Sequence, residues 1–428
     1  MQRIFTFTFT FFLIIWIYFV YAEVHLEIKH GINTIHSIGI MPFHWDGLGV
    51  RPENIDIDKI IIDDLHNSGK IRTIIVDNIK NYSDKVDILV SGKIKSENDG
   101  KRYLLFYKIL DVYGKILLHN HYHTDKSGLR LTAHTISNDI FQNLTGIRGA
   151  FCTRIAYIRR SMDDENHRYL YLLCIADYDG YNPKIIYRST EPLMSPAWSA
   201  DGTKLAYVIF KKDRSSIVIQ NLVNRAISPV TNYPCHNGAP TFSPDGKKLA
   251  FVLSKSGTFH LYVMDLYSGY IDQITRGYSN NTEPSWFPDS QTLAYTSDQS
   301  GIPQVYLINI NKKEWNKRLT WNPVHNQNPK VSYNGRFIIM VNRNAEKQQN
   351  ILKMDLQTGQ TFLLTTDKNI DENPSISPND TMVAYSTIDN QCSKLCIISI
   401  NGRYNKNCLD SSESSKGKIT FPTWSPYL

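Results

Sequence analysis

The chain has 428 residues, a formal net charge of +7 with histidine neutral, 20% charged residues and 42% hydrophobic ones. That length is too great for one ordinary core and predicts two domains. The evenly spread Lys and Arg exclude the basic stripe that nucleic-acid binding needs, and six scattered cysteines without a Cys-x-x-Cys pair point, for most of them, to isolated thiols packed as small apolar groups, although an exported chain can oxidise them.

Met1-Gln-Arg3 is a short basic start, Ile4 to Phe19 is apolar apart from threonines, and Val20-Tyr-Ala22 places small or β-branched residues two apart before Glu23. This is the layout of a secretory signal peptide, residues 1–22, cleaved after Ala22. A permanent membrane anchor is the rival reading, because the apolar run falls just below spanning length. Cleavage removes Arg3 and leaves a net charge of +6.

Glu23-Val-His-Leu-Glu-Ile28 alternates apolar and polar residues, so it can pair as a strand, and its place at the start of the mature chain makes it a detachable one. Strands are predicted at Ser37–Met41, Ile71–Val76, Asp87–Ile94, Tyr103–Leu110 and Ile116–His121 from runs rich in Ile, Val, Leu and Tyr. Ile57 to Leu65 reads as a helix stopped at Asn67-Ser-Gly69, and Leu129, Ala133, Ile136, Ile140, Phe141 and Leu144 recur at helical steps up to Gly146. Residues 23–148 thus form an α/β N-terminal domain. His119, His121 and His123 lie on one strand face, where neighbours two apart fan out more easily than they converge, so the reading is a solvated face and no metal site.

From residue 152 a repeat takes over. Pro240-Thr-Phe-Ser-Pro-Asp-Gly246 returns as Pro196-Ala-Trp-Ser-Ala-Asp-Gly202, Pro284-Ser-Trp-Phe-Pro-Asp-Ser290, Pro329-Lys-Val-Ser-Tyr-Asn-Gly335, Pro374-Ser-Ile-Ser-Pro-Asn-Asp380 and Pro422-Thr-Trp-Ser-Pro426, the prolines lying 44, 44, 45, 45 and 48 residues apart. That period without helical periodicity marks propeller blades of four short strands. In the second unit these are Pro196–Ser199, Lys204–Phe210, Ser216–Gln220 and Arg225–Thr231, with Asp201-Gly202 supplying a tight turn. The alanine of the second strand recurs as Ala206, Ala250, Ala294 and Ala384, as close sheet-on-sheet contact requires, whereas the copy Phe337-Ile-Ile339 should pack differently.

Thr153-Arg-Ile-Ala-Tyr-Ile158 matches a second strand with no first strand before it, and Pro422–Pro426 matches a first strand with no second after it. The expected fold is therefore mainly β, a six-bladed β-propeller over residues 152–428 closed by the C-terminal strand, which removes free sheet edges.

The segments entering each first strand are Leu193-Met-Ser-Pro196, His236-Asn-Gly-Ala-Pro240, Asn280-Asn-Thr-Glu-Pro284, Asn326-Gln-Asn-Pro329 and Asp371-Glu-Asn-Pro374. Equivalence in the repeat puts them on one face, either as a polar ring that accepts a partner by hydrogen bonds or as the Asn and Asp expected in turns before proline. No Gly-x-Ser-x-Gly elbow, phosphate loop or His-Glu-x-x-His motif occurs, and Asp177-Tyr-Asp-Gly180 lacks the later ligands of a calcium loop. No catalytic residue and no cofactor is predicted. A propeller hydrolase or lyase, or a peptidoglycan-binding module, is the alternative class.

The chain resembles the TolB family of the bacterial Tol-Pal cell-envelope system over its whole mature length. The resemblance is carried by Glu23-Val24, Leu144-Thr-Gly-Ile-Arg-Gly-Ala150, Thr153-Arg-Ile-Ala-Tyr157, Asp177-Tyr-Asp-Gly-Tyr-Asn182, Leu193-Met-Ser-Pro-Ala-Trp198, Ser279-Asn-Asn-Thr-Glu-Pro284 and the ending Trp424-Ser-Pro-Tyr-Leu428. It implies a periplasmic adaptor, expected to be monomeric and peripheral to membranes through its partners, linking the outer-membrane lipoprotein Pal to the inner-membrane protein TolA. It would support outer-membrane integrity and invagination during cell division. Pal contacts carried onto matching positions are His236, Ala239 and Thr282. TolA would be bound by residues 23–34, through Glu23, Val24, His25, Leu26, Glu27 and Ile28. Lys29-His30 departs from the family pattern, which has an acidic or small residue there.

Overall fold

The computed structural model describes residues 36–46, 56–76, 86–97, 101–163, 168–212, 214–322, 324–389, 392–402, 407–408 and 417–428. The expected signal peptide and the segment 23–34 lie outside the described residues.

The N-terminal part comprises β1 (His36–Ile40), β2 (His44–Asp46), α1 (Ile57–Asn67), β3 (Ile71–Ile75), β4 (Ile88–Glu97), β5 (Arg102–Asp111), β6 (Ile116–Thr124) and α2 (Leu129–Thr145). The sheet order is β3-β1-β4-β5-β6, with β2 also on β4. β1 runs parallel to β3 and β4, and β4, β5 and β6 form an antiparallel meander. α1 starts where the Asp56 carboxylate accepts the backbone N–H of Lys59 at 3.1 Å, and it buries Ile57, Ile60, Ile61 and Leu65 at helical spacing. α2 ends on Gly146, whose φ of 70° lets its N–H reach the carbonyl of Gln142. β2 was not anticipated, since three residues are too few to show alternation.

In the remainder, β7 (Arg154–Asp163), β8 (Arg168–Asp177) and β9 (Lys184–Ser189) are followed by β10 (Leu193–Trp198), β11 (Lys204–Lys211), β12 (Arg214–Asn221) and β13 (Ile227–Thr231), a four-stranded antiparallel sheet. The pattern repeats as β14 (Asn237–Phe242), β15 (Lys248–Leu253), β16 (His260–Asp265) and β17 (Ile271–Gln273), and as β18 (Asn281–Trp286), β19 (Thr292–Ser297), β20 (Gln304–Asn309) and β21 (Asn316–Arg318). Next come β22 (His325–Val331), β23 (Phe337–Arg343), β24 (Gln349–Asp355) and β25 (Thr361–Leu363), then β26 (Ile370–Ile376), β27 (Met382–Asp389), β28 (Cys392–Ser399) and β29 (Asn407–Cys408). These two groups touch through one parallel pair, Gln349 with Ile370. The last strand, β30 (Gly417–Trp424), pairs antiparallel with β7. The whole is a mainly β, propeller-type fold behind an α/β N-terminal part.

The second-strand alanines Ala156, Ala206, Ala250, Ala294 and Ala384 are fully buried and pair with Thr423, Ala197, Thr241, Ser285 and Ser375 of the neighbouring first strands. Small residues on both strands let adjacent sheets approach closely. The copy expected to differ does so at both positions, Ile339 opposing Lys330.

The two parts share one hydrophobic core, which runs from Ile61 and Leu65 of α1 through Ile136 and Ile140 of α2 to Tyr178, Met382 and Trp424. A buried polar joint crosses it. The Asp64 carboxylate of α1, 1% exposed, faces Nδ1 of His134 on α2 at 2.8 Å and accepts the Tyr178 hydroxyl on its other oxygen. Arg130 of α2 donates to Asp179, whose carboxylate lies 3.8 Å from His134 Nε2. Carboxylates from α1 and from the loop after β8 therefore hold two basic residues of α2, and a buried charge is tolerated here because each is paired. Farther along, the carbonyl of Arg148 accepts from Asn379 at 3.1 Å and from the Tyr427 hydroxyl at 3.2 Å.

Cys396 and Cys408 form a disulfide with an S–S distance of 2.03 Å, because pairing of β28 with β29 sets them opposite each other. Cys152, Cys174 and Cys235 are not disulfide-bonded, whereas this pair departs from the expectation of reduced thiols.

Candidate functional site

The segments read as linkers into the first strands are themselves the first halves of those strands. β10, β14, β18, β22 and β26 begin up to four residues before the repeat proline, and each carries an irregularity in register around it, as does β30. The residue just before each proline has positive φ: Ser195 at 51°, Ala239 at 47°, Glu283 at 55°, Asn328 at 54°, Asn373 at 54° and Phe421 at 54°. Non-glycine residues pay roughly 1–2 kcal/mol for that region. Six equivalent copies of the same irregularity bend the strands inward around a common cavity of about 480 Å³, which all six of these residues line.

Two kinds of polar residue share these strand starts. Asn237 is fully buried and its amide donates to the carbonyls of Ser215, Tyr233 and Cys235. Asn281 donates to the carbonyl of Ser279 at 2.9 Å, and Asn326 to that of Val324 at 3.3 Å. These asparagines are structural and tie each first strand to the loop before it. Glu283, Asn328 and Asn373 instead form a chain along the cavity wall. Glu283 Oε2 accepts the Thr296 hydroxyl at 2.7 Å and the Asn328 N–H at 2.7 Å, and the Asn328 amide donates to Asn373 Oδ1 at 3.3 Å.

His236 is half-buried just ahead of β14. Its ring meets Phe259 edge-on at 5.2 Å between centroids, with Phe210 at 6.2 Å, and its backbone N–H donates to the Ser254 hydroxyl at 3.1 Å. Burial among these rings pushes the imidazole below its ordinary range. Gly238 is required beneath it, since a Cβ there would stand 2.4 Å from His236 Nε2. Ala239 and Phe259 pack against the same cluster as Trp286 and Tyr295. Thr282 lies on β18 opposite Thr296. Phe259 receives the Asn281 N–H at its carbonyl at 2.8 Å while its own N–H donates to Asn280 Oδ1 at 3.2 Å. His236 thus touches the Phe259 ring, Ala239 packs against the same hydrophobic cluster as Phe259, and Thr282 follows Asn281, whose N–H donates to the Phe259 carbonyl. The expected contacts Glu23, Val24, His25, Leu26, Glu27 and Ile28 lie outside the described residues.

The histidines of β6 stand at one sheet edge. His121 and His123 meet edge to face at 5.7 Å, and His123 Nδ1 lies 3.2 Å from Glu97. Among the described residues no group of three metal-binding side chains occurs. No helix of the described residues is long and apolar enough to cross a membrane.

Comparison with known proteins identifies both parts. Residues 24–117 match the family model "TolB amino-terminal domain" and residues 141–428 match "TolB beta propeller domain". The chain is 52% identical over 97% of its length to the Tol-Pal system protein TolB of Hamiltonella defensa subsp. Acyrthosiphon pisum, covering 97% of that protein. It is 48% identical to the protein of the same description from Blochmanniella floridana, with 96% of each chain covered. Among solved structures, TolB from Acinetobacter baumannii superposes with a TM-score of 0.79 at 31% identity, covering 92% of this chain and 97% of that one.

Proposed function

The chain belongs to the TolB family of Tol-Pal system proteins, and from that premise we propose that it is a periplasmic, non-enzymatic adaptor linking the outer-membrane lipoprotein Pal to the inner-membrane protein TolA. In this reading residues 1–22 are removed on export, residues 23–148 form the α/β domain, and residues 152–428 form six blades closed by β30. The adaptor is monomeric, and it supports outer-membrane integrity and invagination during cell division. Pal docks at the cavity mouth on His236, Ala239 and Thr282, and TolA takes the segment 23–34 through Glu23 to Ile28. The observation that supports the proposal is that Ala239 lines the cavity, while His236 stands immediately before β14 with its ring against Phe259 and Thr282 lies on the adjoining β18.

Such an adaptor works by competition for its N-terminal segment. Docked on the α/β domain, the segment is withheld from TolA; released, it adds to its partner as an extended strand. Pal binding favours the docked state, and a differential affinity of a few kcal/mol is enough for that control.

The test is deletion of residues 23–34 with both partners titrated. TolA binding should disappear and Pal binding persist; loss of Pal binding with TolA binding intact would contradict the assignment. His236→Ala is expected to weaken Pal by at least tenfold, the range of an interface hot spot, and to leave TolA unchanged.

A further inference from the structure

The residue following each repeat proline lines the cavity, and the six are Ala197, Thr241, Ser285, Lys330, Ser375 and Thr423. Five are small. Lys330 alone is long and charged, and among the described residues it is the only basic one lining the cavity. Its partner in the sheet is Ile339, the residue that replaces the recurrent alanine, so both departures of this repeat copy fall at one place.

Glu283 is the single acidic residue on the same wall. Its Oε2 is committed to the Thr296 hydroxyl and the Asn328 N–H, both at 2.7 Å, and Lys330 forms neither an ion pair nor a side-chain hydrogen bond among the described residues. The surrounding wall is largely prolyl and indole surface, including Pro240, Pro284, Trp286 and Trp424. Lys330 is half-buried among these walls, where burial lowers its pKa while the Glu283 charge raises it. The hydroxyl-bearing Ser285 and Ser375 lie at the equivalent level of the neighbouring strands β18 and β26. A cation, hydroxyl groups and a cavity of about 480 Å³ are the elements that accept an anion.

We propose that the cavity is an anion site in which Lys330 binds a carboxylate or comparable small anion. The anion reaches it either as a free ion or as an acidic side chain of a docked partner. The proposal does not depend on the identity of that partner.

Trp198, Trp286 and Trp424 line the cavity and report on it; in the mature chain, half-buried Trp45 and exposed Trp315 and Trp321 contribute a background that Trp→Phe changes at all three positions remove. In that background, fluorescence quenching by iodide is measured at constant ionic strength in the whole protein with Lys330, Lys330→Arg and Lys330→Met. The expected result is a saturable iodide component with Lys330 and Lys330→Arg, displaced by acetate and lost in Lys330→Met, while quenching by neutral acrylamide stays the same in all three. Equal saturable quenching in Lys330→Met, or none with Lys330, would overturn the proposal. A bromide-soaked crystal should show an anomalous peak beside Nζ that Lys330→Met lacks. If Pal displaces iodide and binds Lys330→Met at least tenfold more weakly, the anion is a partner carboxylate; if Pal binds both alike while iodide and acetate still compete, it is a free ion. Failure of Pal to bind at all would count against the adaptor reading and leave the iodide result standing.

Discussion

Trp424 donates its indole N–H to the hydroxyl of Thr153 at 2.7 Å, joining two residues 271 positions apart. One residue on, Ser425 accepts the Arg154 N–H at 3.0 Å, and Trp198 reaches from β10 to the carbonyl of Thr423 at 3.1 Å. β30 is thus held on both sides. Deleting residues 421–428 is expected to lower the thermal midpoint by 10 °C or more, as losing a buried strand should, and Trp424→Ala alone to cost about 4 kcal/mol. Differential scanning calorimetry checks both, and an unchanged midpoint in the deletion would remove ring closure from the proposal.

The Cys396–Cys408 disulfide closes a loop of 12 residues in sequence separation. A loop of that size restricts the unfolded chain by about 3 kcal/mol. Cys408→Ala should therefore lower stability to urea by about that amount, and the loss should be matched by adding reductant to the native protein. Non-reducing peptide mapping should recover the two cysteines in one linked fragment.

Acid should weaken the fold in two separable steps. Burial depresses the folded pKa of His236 and His260 below the ordinary value of 6.5. Both then bind fewer protons folded than unfolded, so their contribution is complete above about pH 6.5 and is lost as pH falls through the folded values. At lower pH, Asp201 follows, its carboxyl held below 3.8 first by the Ser199 hydroxyl and then by the Thr203 N–H. Urea midpoints measured from pH 8 to pH 3 should drop first near pH 6, and His236→Gln with His260→Gln should flatten that step while leaving the one near pH 4.

Breaking the buried joint should be costly. Asp64→Ala leaves the Tyr178 hydroxyl and the His134 imidazole, 0% and 2% exposed, without their acceptor. A cost of about 3–5 kcal/mol is expected, against about 1 kcal/mol for Asp111→Ala, a half-buried carboxylate at the end of β5 that accepts the N–H groups of Tyr113 and Lys115. Urea denaturation of the two variants gives the comparison, and equal losses would deny the joint its role.

Hydrophobic periodicity made most of the architecture legible. Leu129, Ala133, Ile136 and Ile140 marked α2 with its stop at Gly146, and the repeat prolines fixed the sheet boundaries within a few residues. What the sequence concealed lies in the backbone. Positive φ at Ala239 or Glu283 contradicts the preference of a residue before proline for extended conformations, so the strand starts read as linkers. The Asp-Gly pairs do supply positive φ in the turns, at Gly202 and Gly246, but Ser290 and Asp380 adopt it without glycine, which the sequence did not announce. His236, Ala239 and Thr282 could be listed from a resemblance, but Phe259, against which the His236 ring packs, carries no repeat signal. Lys330 could have been found by comparing the six residues after the prolines.

Gly238 gives the sharpest test of the His236 site. A Cβ at that position stands 2.4 Å from Nε2 of His236 and 3.2 Å from Cε1, contacts that require the ring to move. The backbone itself allows a side chain, because Gly238 is absent from the positive-φ positions. Gly238→Ala should therefore act through His236, destabilising the fold by about 1–2 kcal/mol through overpacking and displacing the ring from Phe259. Pal binding should fall as far as it does in His236→Ala. With the imidazole already removed, adding Gly238→Ala should change neither stability nor binding by more than about 0.5 kcal/mol, so the double-mutant cycle should return a coupling close to the whole single effect. Additive losses would place the cost of the methyl group elsewhere and leave the ring's position unimportant to the partner.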